Sequence, residues 1–329
     1  MTVSLMLGLA IALEATWGAL ALWIRAPVSP RCKRVLVLAW VISALAAMAG
    51  LAWPQWRPGW VLHGAALVVL AGWWLRIRPS NNRPWLDEVA RQPHGDIQGD
   101  VVTLHNVRNF DWRSRTDFTP RWETRRYALD TLQSVDVALS YWGRPAIAHA
   151  LVSFGFGQDN HVVFSVEIRR KQGDSFSEIG GFFKQYELSV IASTETDSLR
   201  VRTNVRGEDS YLYRIHMPDG APRELFLAYV EAANRLRATP RFYHTLTANC
   251  TTIVFQMARR IVPGLPMDYR QLLSGYLPEY LYEQHALRGA ASAAEYRRRG
   301  RYTDRARATA DPAEFSRNIR RGVPGIAPH

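Results

Sequence analysis

The sequence predicts an α+β domain, an antiparallel sheet followed by helices, preceded by an N-terminal three-helix transmembrane region. Three long apolar runs open the chain, short β-branched and aromatic runs separated by turn residues follow from residue 101, and from residue 222 the apolar positions repeat with a helical period. We divide the 329 residues into three transmembrane helices (1–77), a linker (78–100), an α+β domain of catalytic type (101–287) and a basic, partly disordered tail (288–329).

The three apolar runs cover residues 1–24, 35–53 and 59–75. About 20 apolar residues suffice to cross a bilayer. A cleaved signal peptide would be followed by a soluble chain, whereas here two further apolar runs come next, so we expect three retained spans. The basic residues of loop 25–34 and those after the third run would, by the usual charge bias, place the large domain in the cytoplasm.

The segment after the spans is rich in Pro, Asn, Gly and charged residues, which is typical of a linker. In the domain, the stretch "HVVFSVEIR" alternates, so that Val162, Phe164, Val166 and Ile168 are predicted to share one face of a strand. The stretches "PRELFLAYVEAANRLRAT" and "CTTIVFQMARRI" predict two helices at the end of the domain.

The net charge of +12 and the pI near 10.1 raise the possibility of nucleic-acid binding. Much of the excess lies beside the spans and in the tail, which has few aromatic residues, so the sequence favours no nucleic acid. Such basic runs suit anionic lipid head groups or a solvated tail. No CxxC, HExxH, calcium-loop or Gly-rich phosphate motif is present, so we expect neither a metal nor a cofactor.

Cys250 is one of two cysteines, and we expect both it and Cys32, placed in a loop between spans, to be free thiols. The neighbours Asn249 and Thr251 are of the type that caps helices. This predicts a thiol in the first turn of a helix, where the backbone dipole and free N–H groups favour a thiolate and offer donors to an oxyanion. The alternative is a small buried thiol that packs behind the helix.

His149 and His161 open two successive strands, and the intervening "GQDN" predicts a hairpin turn. In that hairpin we expect His161 to pair near Phe156, with the two rings toward opposite ends. One cysteine with two candidate histidines is the minimum set for a nucleophile and its base. A satisfied or solvent-facing side chain is the alternative for either histidine.

Four other residues are candidates for supporting roles. Tyr141 and Trp142 either wall a pocket or belong to the core. Glu167 and Arg169 alternate away from the predicted apolar face, so they either line a substrate groove or form a solvated strand face.

The order of a strand histidine, a second strand histidine and an Asn-Cys helix start resembles the circularly permuted papain-like fold of NlpC/P60 and lecithin:retinol acyltransferase proteins. A closer resemblance covers roughly residues 78–260. There, "RPSNNRPWLDEVAR", "LSYWGRPAIAHALVSFGF" and "TANCTT" are similar to the bacterial family called the Lnb N-terminal periplasmic domain, which is named for lipoprotein N-acyltransferase. The resemblance implies a periplasmic domain, against the charge bias, and we follow the resemblance.

The prediction is therefore a membrane-anchored Cys-His acyltransferase of the bacterial inner membrane, with its soluble domain in the periplasm. Cys250 would carry an acyl thioester taken from a membrane phospholipid or a lipoprotein, with His149 as base and His161 orienting it. The supporting or substrate-binding residues would be Asn249, Thr251, Tyr141, Trp142, Glu167 and Arg169. A cysteine peptidase or amidase of the cell envelope and a non-enzymatic envelope-assembly module remain alternatives, and the oligomeric state is left open.

Overall fold

A computed structural model describes residues 2–157 and 160–327. The chain forms two compact units, Met1–Ser80 with Ser175–Tyr186, and Asn81–Asp174 with Glu187–His329. The helices are α1 (Thr2–Arg25), α2 (Pro30–Ala52), α3 (Pro58–Arg76), α4 (Glu195–Ser198), α5 (Ala221–Ala238), α6 (Thr252–Ile261), α7 (Leu277–Glu283), α8 (Ala293–Gly300), α9 (Thr303–Ala308) and α10 (Phe315–Arg320). The strands are β1 (His94–Gln98), β2 (Val101–Arg108), β3 (Asp111–Trp112), β4 (Phe118–Thr119), β5 (Trp122–Ala128), β6 (Leu132–Tyr141), β7 (Ala148–Phe156), β8 (Asn160–Arg169), β9 (Glu187–Ser193) and β10 (Asp209–Ile215).

The first unit contains α1, α2 and α3, each long and apolar enough to cross a membrane, which confirms the transmembrane prediction. The second helix begins earlier than predicted, at Pro30. Proline suits a first helical position, and the Ser29 hydroxyl accepts a hydrogen bond from the backbone N–H of Cys32 at 3.3 Å, which caps the helix. Cys32, expected in a loop, therefore lies in the first turn of α2.

A polar cluster joins the three apolar helices. The buried His63 of α3 places Nε2 2.9 Å from Glu14 Oε2 of α1 and Nδ1 2.9 Å from Ser43 Oγ of α2. The single hydroxyl hydrogen of Ser43 goes to the carbonyl oxygen of Trp40 at 2.7 Å, so His63 is the donor to Ser43 and one proton lies between His63 and Glu14. An ionisable residue within an apolar span is costly unless it is paired, and this contact supplies the partner of Glu14.

The second unit is built on an eight-stranded sheet with the order β1-β2-β9-β8-β7-β6-β10, in which β5 also pairs with β2. All its ladders are antiparallel except the contact of β2 with β9. With the helices, this confirms the α+β class and the mostly antiparallel sheet. The permuted papain-like arrangement of these elements stays a prediction.

Both faces of the sheet are covered. On one face, Phe154 of β7 and Phe164 of β8 pack against Phe226 and Tyr229 of α5. The predicted face of β8 is confirmed in that Val162, Phe164 and Val166 all belong to this core. On the other face, a second apolar cluster includes Leu151 of β7 together with residues of α10. The sheet therefore forms the middle of the domain, with its central strands β7 and β8 shielded from solvent.

The predicted linker 78–100 is largely part of the domain, because β1 pairs with β2 over five residue pairs. The predicted disorder of the tail 288–329 is also wrong for its described part. Tyr296, Tyr302, Phe315 and Ile319 are fully buried there. These apolar residues recur among the arginines and give the short helices α8, α9 and α10 a face to bury.

Candidate active site

Cys250 lies immediately before α6, in a backbone segment organised by Asn249. The Asn249 Oδ1 accepts hydrogen bonds from the backbone N–H groups of Thr251 at 2.9 Å and Thr252 at 2.8 Å, while its Nδ2 donates to the Thr245 carbonyl at 2.6 Å. Asn249 therefore caps the helix start and holds the chain on both sides of the thiol. Two of the N–H groups expected to serve an oxyanion are thus occupied. Within the described residues the Cys250 N–H donates no hydrogen bond, so it is the donor left at this position.

His149 meets Cys250 from the start of β7. The buried imidazole lies beside the Cys250 thiol, where the interaction between the two groups raises the pKa of His149 and lowers the pKa of Cys250. Its Nε2 lies 2.8 Å from Ser165 Oγ and 2.9 Å from Glu167 Oε1, both on β8. The sulfur, the imidazole and the carboxylate thus lie in the order that a nucleophile, its base and an orienting acid would require.

Glu167 is itself held by its neighbours. The Ser165 hydroxyl donates to Glu167 Oε1 at 2.6 Å, so His149 Nε2–H is the donor toward both residues. Arg202 reaches Glu167 Oε1 at 3.5 Å and Glu208 Oε2 at 3.1 Å. The carboxylate is therefore oriented from two sides, and it occupies the place that the sequence assigned to a second histidine.

The charges of the cluster stabilise one another. Burial is the largest single influence and lowers the pKa of His149, but the charge of Glu167 and the hydrogen bonds with Cys250 and Glu167 together raise this pKa to about 9. Burial raises the pKa of Glu167, whereas His149, Arg202 and Ser165 together hold it well below its usual range. Burial likewise raises the pKa of the Cys250 thiol, yet the hydrogen bond and charge of His149, the Ala150 N–H and the Thr251 hydroxyl bring it below its ordinary value. The imidazolium of His149 therefore favours the thiolate of Cys250, and the carboxylate of Glu167 favours the imidazolium.

This pairing predicts the pH dependence of thiol reactivity. In a Cys32→Ser background, alkylation of Cys250 by iodoacetamide should rise through an inflection below that of an ordinary thiol, because the His149 imidazolium favours the thiolate. The His149→Ala variant should shift the inflection to higher pH. Burial raises the pKa of Cys250, and without the imidazolium less remains to lower it. Rates measured between pH 5 and 10 test this, with a Cys250→Ser sample as the blank. Equal inflections in both proteins would contradict the ion pair.

The structure places His161 away from this cluster, so its predicted contact with His149 is not formed. His161 pairs with Gly155, and its Nδ1 is 3.9 Å from Glu195 Oε2. The reason is the distance along the hairpin, because Gly155 lies six positions after His149 on β7, which is about 20 Å of extended strand. The register also differs by one residue from the predicted one, since Asn160 rather than His161 lies opposite Phe156. Continuing the observed pairing from Leu151 and Ser165 by two residues brings Glu167 opposite His149.

The remaining predicted residues separate into two groups. Asn249 and Thr251 belong to the cluster, Thr251 Oγ1 being 3.7 Å from the Cys250 sulfur. Tyr141, Trp142 and Arg169 make no hydrogen bond or ion pair with the cysteine, the histidine or Glu167 in the described part of the chain.

The three residues outside the cluster are accounted for elsewhere. The Tyr141 hydroxyl donates to the Gly275 carbonyl at 2.7 Å, and Trp142 is exposed. The predicted solvated face of β8 is wrong for Arg169, which is buried and donates to the carbonyls of Val89 at 2.9 Å and Ala90 at 2.7 Å. Arg169 therefore anchors the segment that precedes β1.

Two tyrosines near Cys250 were not among the predicted site residues. Burial, followed by the charges of Cys250 and Glu167, raises the pKa of Tyr243. Burial and then the charge of Cys250 raise the pKa of Tyr229, whose buried hydroxyl has no hydrogen-bond partner among the described residues. The helical period of α5 indicated only that Tyr229 faces the core. No sequence signal marked Tyr243.

Among residues 2–157 and 160–327, no group of three or more His, Cys, Asp or Glu side chains is arranged to hold a metal ion. Both described cysteines are free thiols.

Residues 118–275 match the family model of the Lnb N-terminal periplasmic domain, which confirms the resemblance over this segment. The matched segment contains His149, Ser165, Glu167 and Cys250. Comparisons with curated proteins and with solved structures gave no match. Together with the three apolar helices, the family match indicates a membrane-associated envelope protein with a periplasmic domain.

Proposed function

We propose, taking the Lnb N-terminal periplasmic domain at residues 118–275 as the premise, that the protein is a membrane-anchored thiol acyltransferase of the bacterial inner membrane. Its donor would be an acyl ester of a phospholipid or a lipoprotein. The observation that carries the proposal is the contact of Cys250 with His149, whose ring in turn forms an ion pair with Glu167. Such an arrangement provides an activated nucleophile, a proton carrier and an orienting carboxylate.

In the first half of the proposed reaction, the Cys250 thiolate attacks the ester carbonyl and a carbon–sulfur bond forms. The backbone N–H of Cys250 would donate to the oxyanion of the tetrahedral centre. The ester carbon–oxygen bond then breaks, and the imidazolium of His149 gives its proton to the departing alkoxide. An acyl thioester on Cys250, a neutral His149 and a free alcohol result.

In the second half, an amine such as the N-terminus of a lipoprotein attacks the thioester carbonyl. Neutral His149 takes the proton of the attacking nitrogen, the amide bond forms, and the carbon–sulfur bond breaks to release the Cys250 thiolate. Glu167 keeps the imidazole oriented through both halves and favours its protonated form. The apolar helices of the first unit account for the attachment of such a site to a membrane, where the esters are found.

The proposal is tested by incubating the full-length protein with a phospholipid that carries an alkyne-tagged acyl chain. We expect a tagged adduct at Cys250 that hydroxylamine removes, and transfer of the tag to an added lipopeptide with a free N-terminal amine. Release of tagged fatty acid without transfer, even with the amine in excess, would instead support a hydrolase. Absence of any adduct on the folded protein would contradict thiol catalysis and favour a binding module.

The Glu167→Gln variant should change the pH profile of Cys250 acylation. In the native protein the imidazolium persists up to a pKa of about 9, so the alkaline limb of the profile should lie near pH 9. Removing the carboxylate charge removes the largest influence that raises this pKa, so the limb should move to lower pH, toward the ordinary histidine value of about 6.5. Single-turnover acylation rates from pH 5 to 10 provide the measurement. The exposed Glu231→Gln is the matched control, and an unmoved limb in Glu167→Gln would exclude the orienting role.

A further inference from the structure

The segment Ser175–Tyr186 connects β8 and β9 in the chain, yet it belongs to the compact unit of the three apolar helices. The loop is closed on itself. The Tyr186 hydroxyl donates to the Ser175 carbonyl at 2.6 Å, and the Phe183 N–H donates to the Gly180 carbonyl at 3.0 Å. Gly180 is buried and leaves no room for a Cβ beside Gln185. The segment is therefore an ordered loop with its own packing, as in compact surface loops of this length.

The loop packs against the helices near one end of the bundle. The Phe183 ring lies 6.5 Å from the ring of Trp17 in α1 and 6.3 Å from that of Trp74 in α3. Lys184 Nζ donates to the Trp74 carbonyl at 2.9 Å and lies 4.7 Å from the Trp74 ring centroid. It thereby satisfies a carbonyl at the C-terminal end of α3.

These contacts define the depth that the loop reaches. Trp74 precedes the last residue of α3, Arg76, by two positions, and Trp17 precedes the last residue of α1, Arg25, by eight. At 1.5 Å per residue, eight positions correspond to about 12 Å along the helix axis. The Trp17 and Trp74 rings lie 5.1 Å apart, so both mark one level of the bundle, and the loop reaches that level. Tryptophan side chains favour the membrane–water interface.

Three apolar side chains of the loop are exposed, and the exposed Glu178 lies among them. Phe176 is 57 %, Ile179 is 54 % and Phe182 is 39 % exposed, although three such side chains in one short loop would ordinarily be buried. On α3, Leu75, which follows Trp74 in the chain, is also exposed. Basic residues gather at this end of the bundle, because Arg25 ends α1, Arg76 ends α3 and Lys184 of the loop donates to the carbonyl of Trp74. A cationic rim beside apolar side chains is the pattern that suits anionic head groups above acyl chains.

We propose that the loop Ser175–Tyr186 is a lipid-binding surface, which inserts Phe176, Ile179 and Phe182 into the bilayer interface next to the transmembrane helices. A protein partner would also cover an apolar surface. The lipid bilayer is favoured because the loop packs on helices that are long and apolar enough to cross it and because three of its apolar side chains are exposed. The inference rests on the first unit alone and is independent of the chemistry at Cys250.

The test uses the full-length protein in vesicles of phosphatidylethanolamine and phosphatidylglycerol, with both native cysteines replaced by serine. The polarity-sensitive dye NBD is attached to a single cysteine introduced as Phe176→Cys, Ile179→Cys or Phe182→Cys. The control is Ala310→Cys, an exposed position of the second unit. We expect blue-shifted emission at the three loop positions, at least twofold quenching by lipids with nitroxide-labelled acyl chains, and protection from aqueous iodide.

Two results would overturn the proposal. Iodide quenching at the loop positions as strong as at Ala310→Cys, with no quenching by the nitroxide lipids, would show that the loop is in water. Protection from both quenchers would show that protein covers the loop. Thermal unfolding of each labelled protein identifies variants that fail to fold, and the three separate positions keep the test valid if one is lost. Because Cys250 is absent from every labelled protein, failure here leaves the acyltransferase proposal untouched.

Discussion

Replacing Cys250 with serine is expected to abolish acyl transfer, with a loss of about 10⁴-fold or more in the rate of adduct formation. A serine hydroxyl beside His149 has no thiolate form, so the ion pair that activates the native side chain is lost. Single-turnover formation of the acyl adduct measures the loss directly, since it does not depend on the identity of the acceptor. The expected size follows from the behaviour of nucleophiles that act as a unit with their base.

The same variant should remain folded. Serine is close to cysteine in volume, and the site is polar, because the His149 ring and the Thr251 hydroxyl both face the sulfur. Thermal unfolding in detergent should therefore differ little between the variant and the native protein. Cys32→Ser, which changes an exposed thiol in α2, is the matched control and should keep full activity. Normal turnover in a folded Cys250→Ser protein would remove the thiol from the mechanism.

The pairing of Cys250 with His149 was predictable because each residue is marked by local sequence. The polar residues around Cys250 stand out before an amphipathic helix, and His149 opens a strand of apolar residues. The carboxylate was harder to predict because its contact depends on strand register. The predicted hairpin paired His161 with Phe156, whereas the observed one pairs His161 with Gly155. Continued along β7 and β8, the observed pairing sets Glu167 opposite His149, and a shift of one residue would move Glu167 to the other face of the sheet.

The folded tail could not be inferred from its own residues. Its arginines indicated a solvated basic run. In the structure, Arg320 instead pairs with Asp136 and Glu195, which lie 184 and 125 residues earlier in the chain. Loop Ser175–Tyr186 presents the same difficulty, because its packing against Trp17 and Trp74 joins residues that are far apart in sequence. Period and composition report local structure, and they carry no information about partners at such separations.

The cluster around Arg320 is buried between the sheet and α10. Asp136 is 0 %, Glu195 is 2 % and Arg320 is 4 % exposed. Arg320 Nη2 lies 2.8 Å from Asp136 Oδ2 and 2.6 Å from Glu195 Oε1. Burial raises the pKa of Glu195, but the charge of Arg320 is the strongest of the influences that hold it well below its usual range. The guanidinium therefore keeps a carboxylate ionised in the interior of the domain.

Arg320→Ala is expected to destabilise the folded domain by about 3 to 5 kcal/mol, since removing one partner of a buried ion pair leaves the other charge uncompensated. For a domain of this size the midpoint of thermal unfolding should fall by roughly 10 °C. Thermal unfolding of the full-length protein in detergent, followed by circular dichroism, measures the shift. Arg321→Ala removes the exposed neighbouring arginine and should change stability by less than about 0.5 kcal/mol.

The pH dependence of this difference distinguishes lost charge pairing from lost packing. In the native protein the low pKa of Glu195 contributes stability above the carboxyl pKa of the unfolded chain, and this contribution is lost as pH falls. In Arg320→Ala, burial acts without the guanidinium, so the pKa of Glu195 should rise. The loss of stability in this variant should then occur only at pH values where the Glu195 carboxylate is charged. Lowering the pH from 8 to 5 should therefore narrow the gap between the two midpoints. A gap that is the same at both pH values would mean that Arg320 stabilises the domain through the packing of its side chain rather than through its charge.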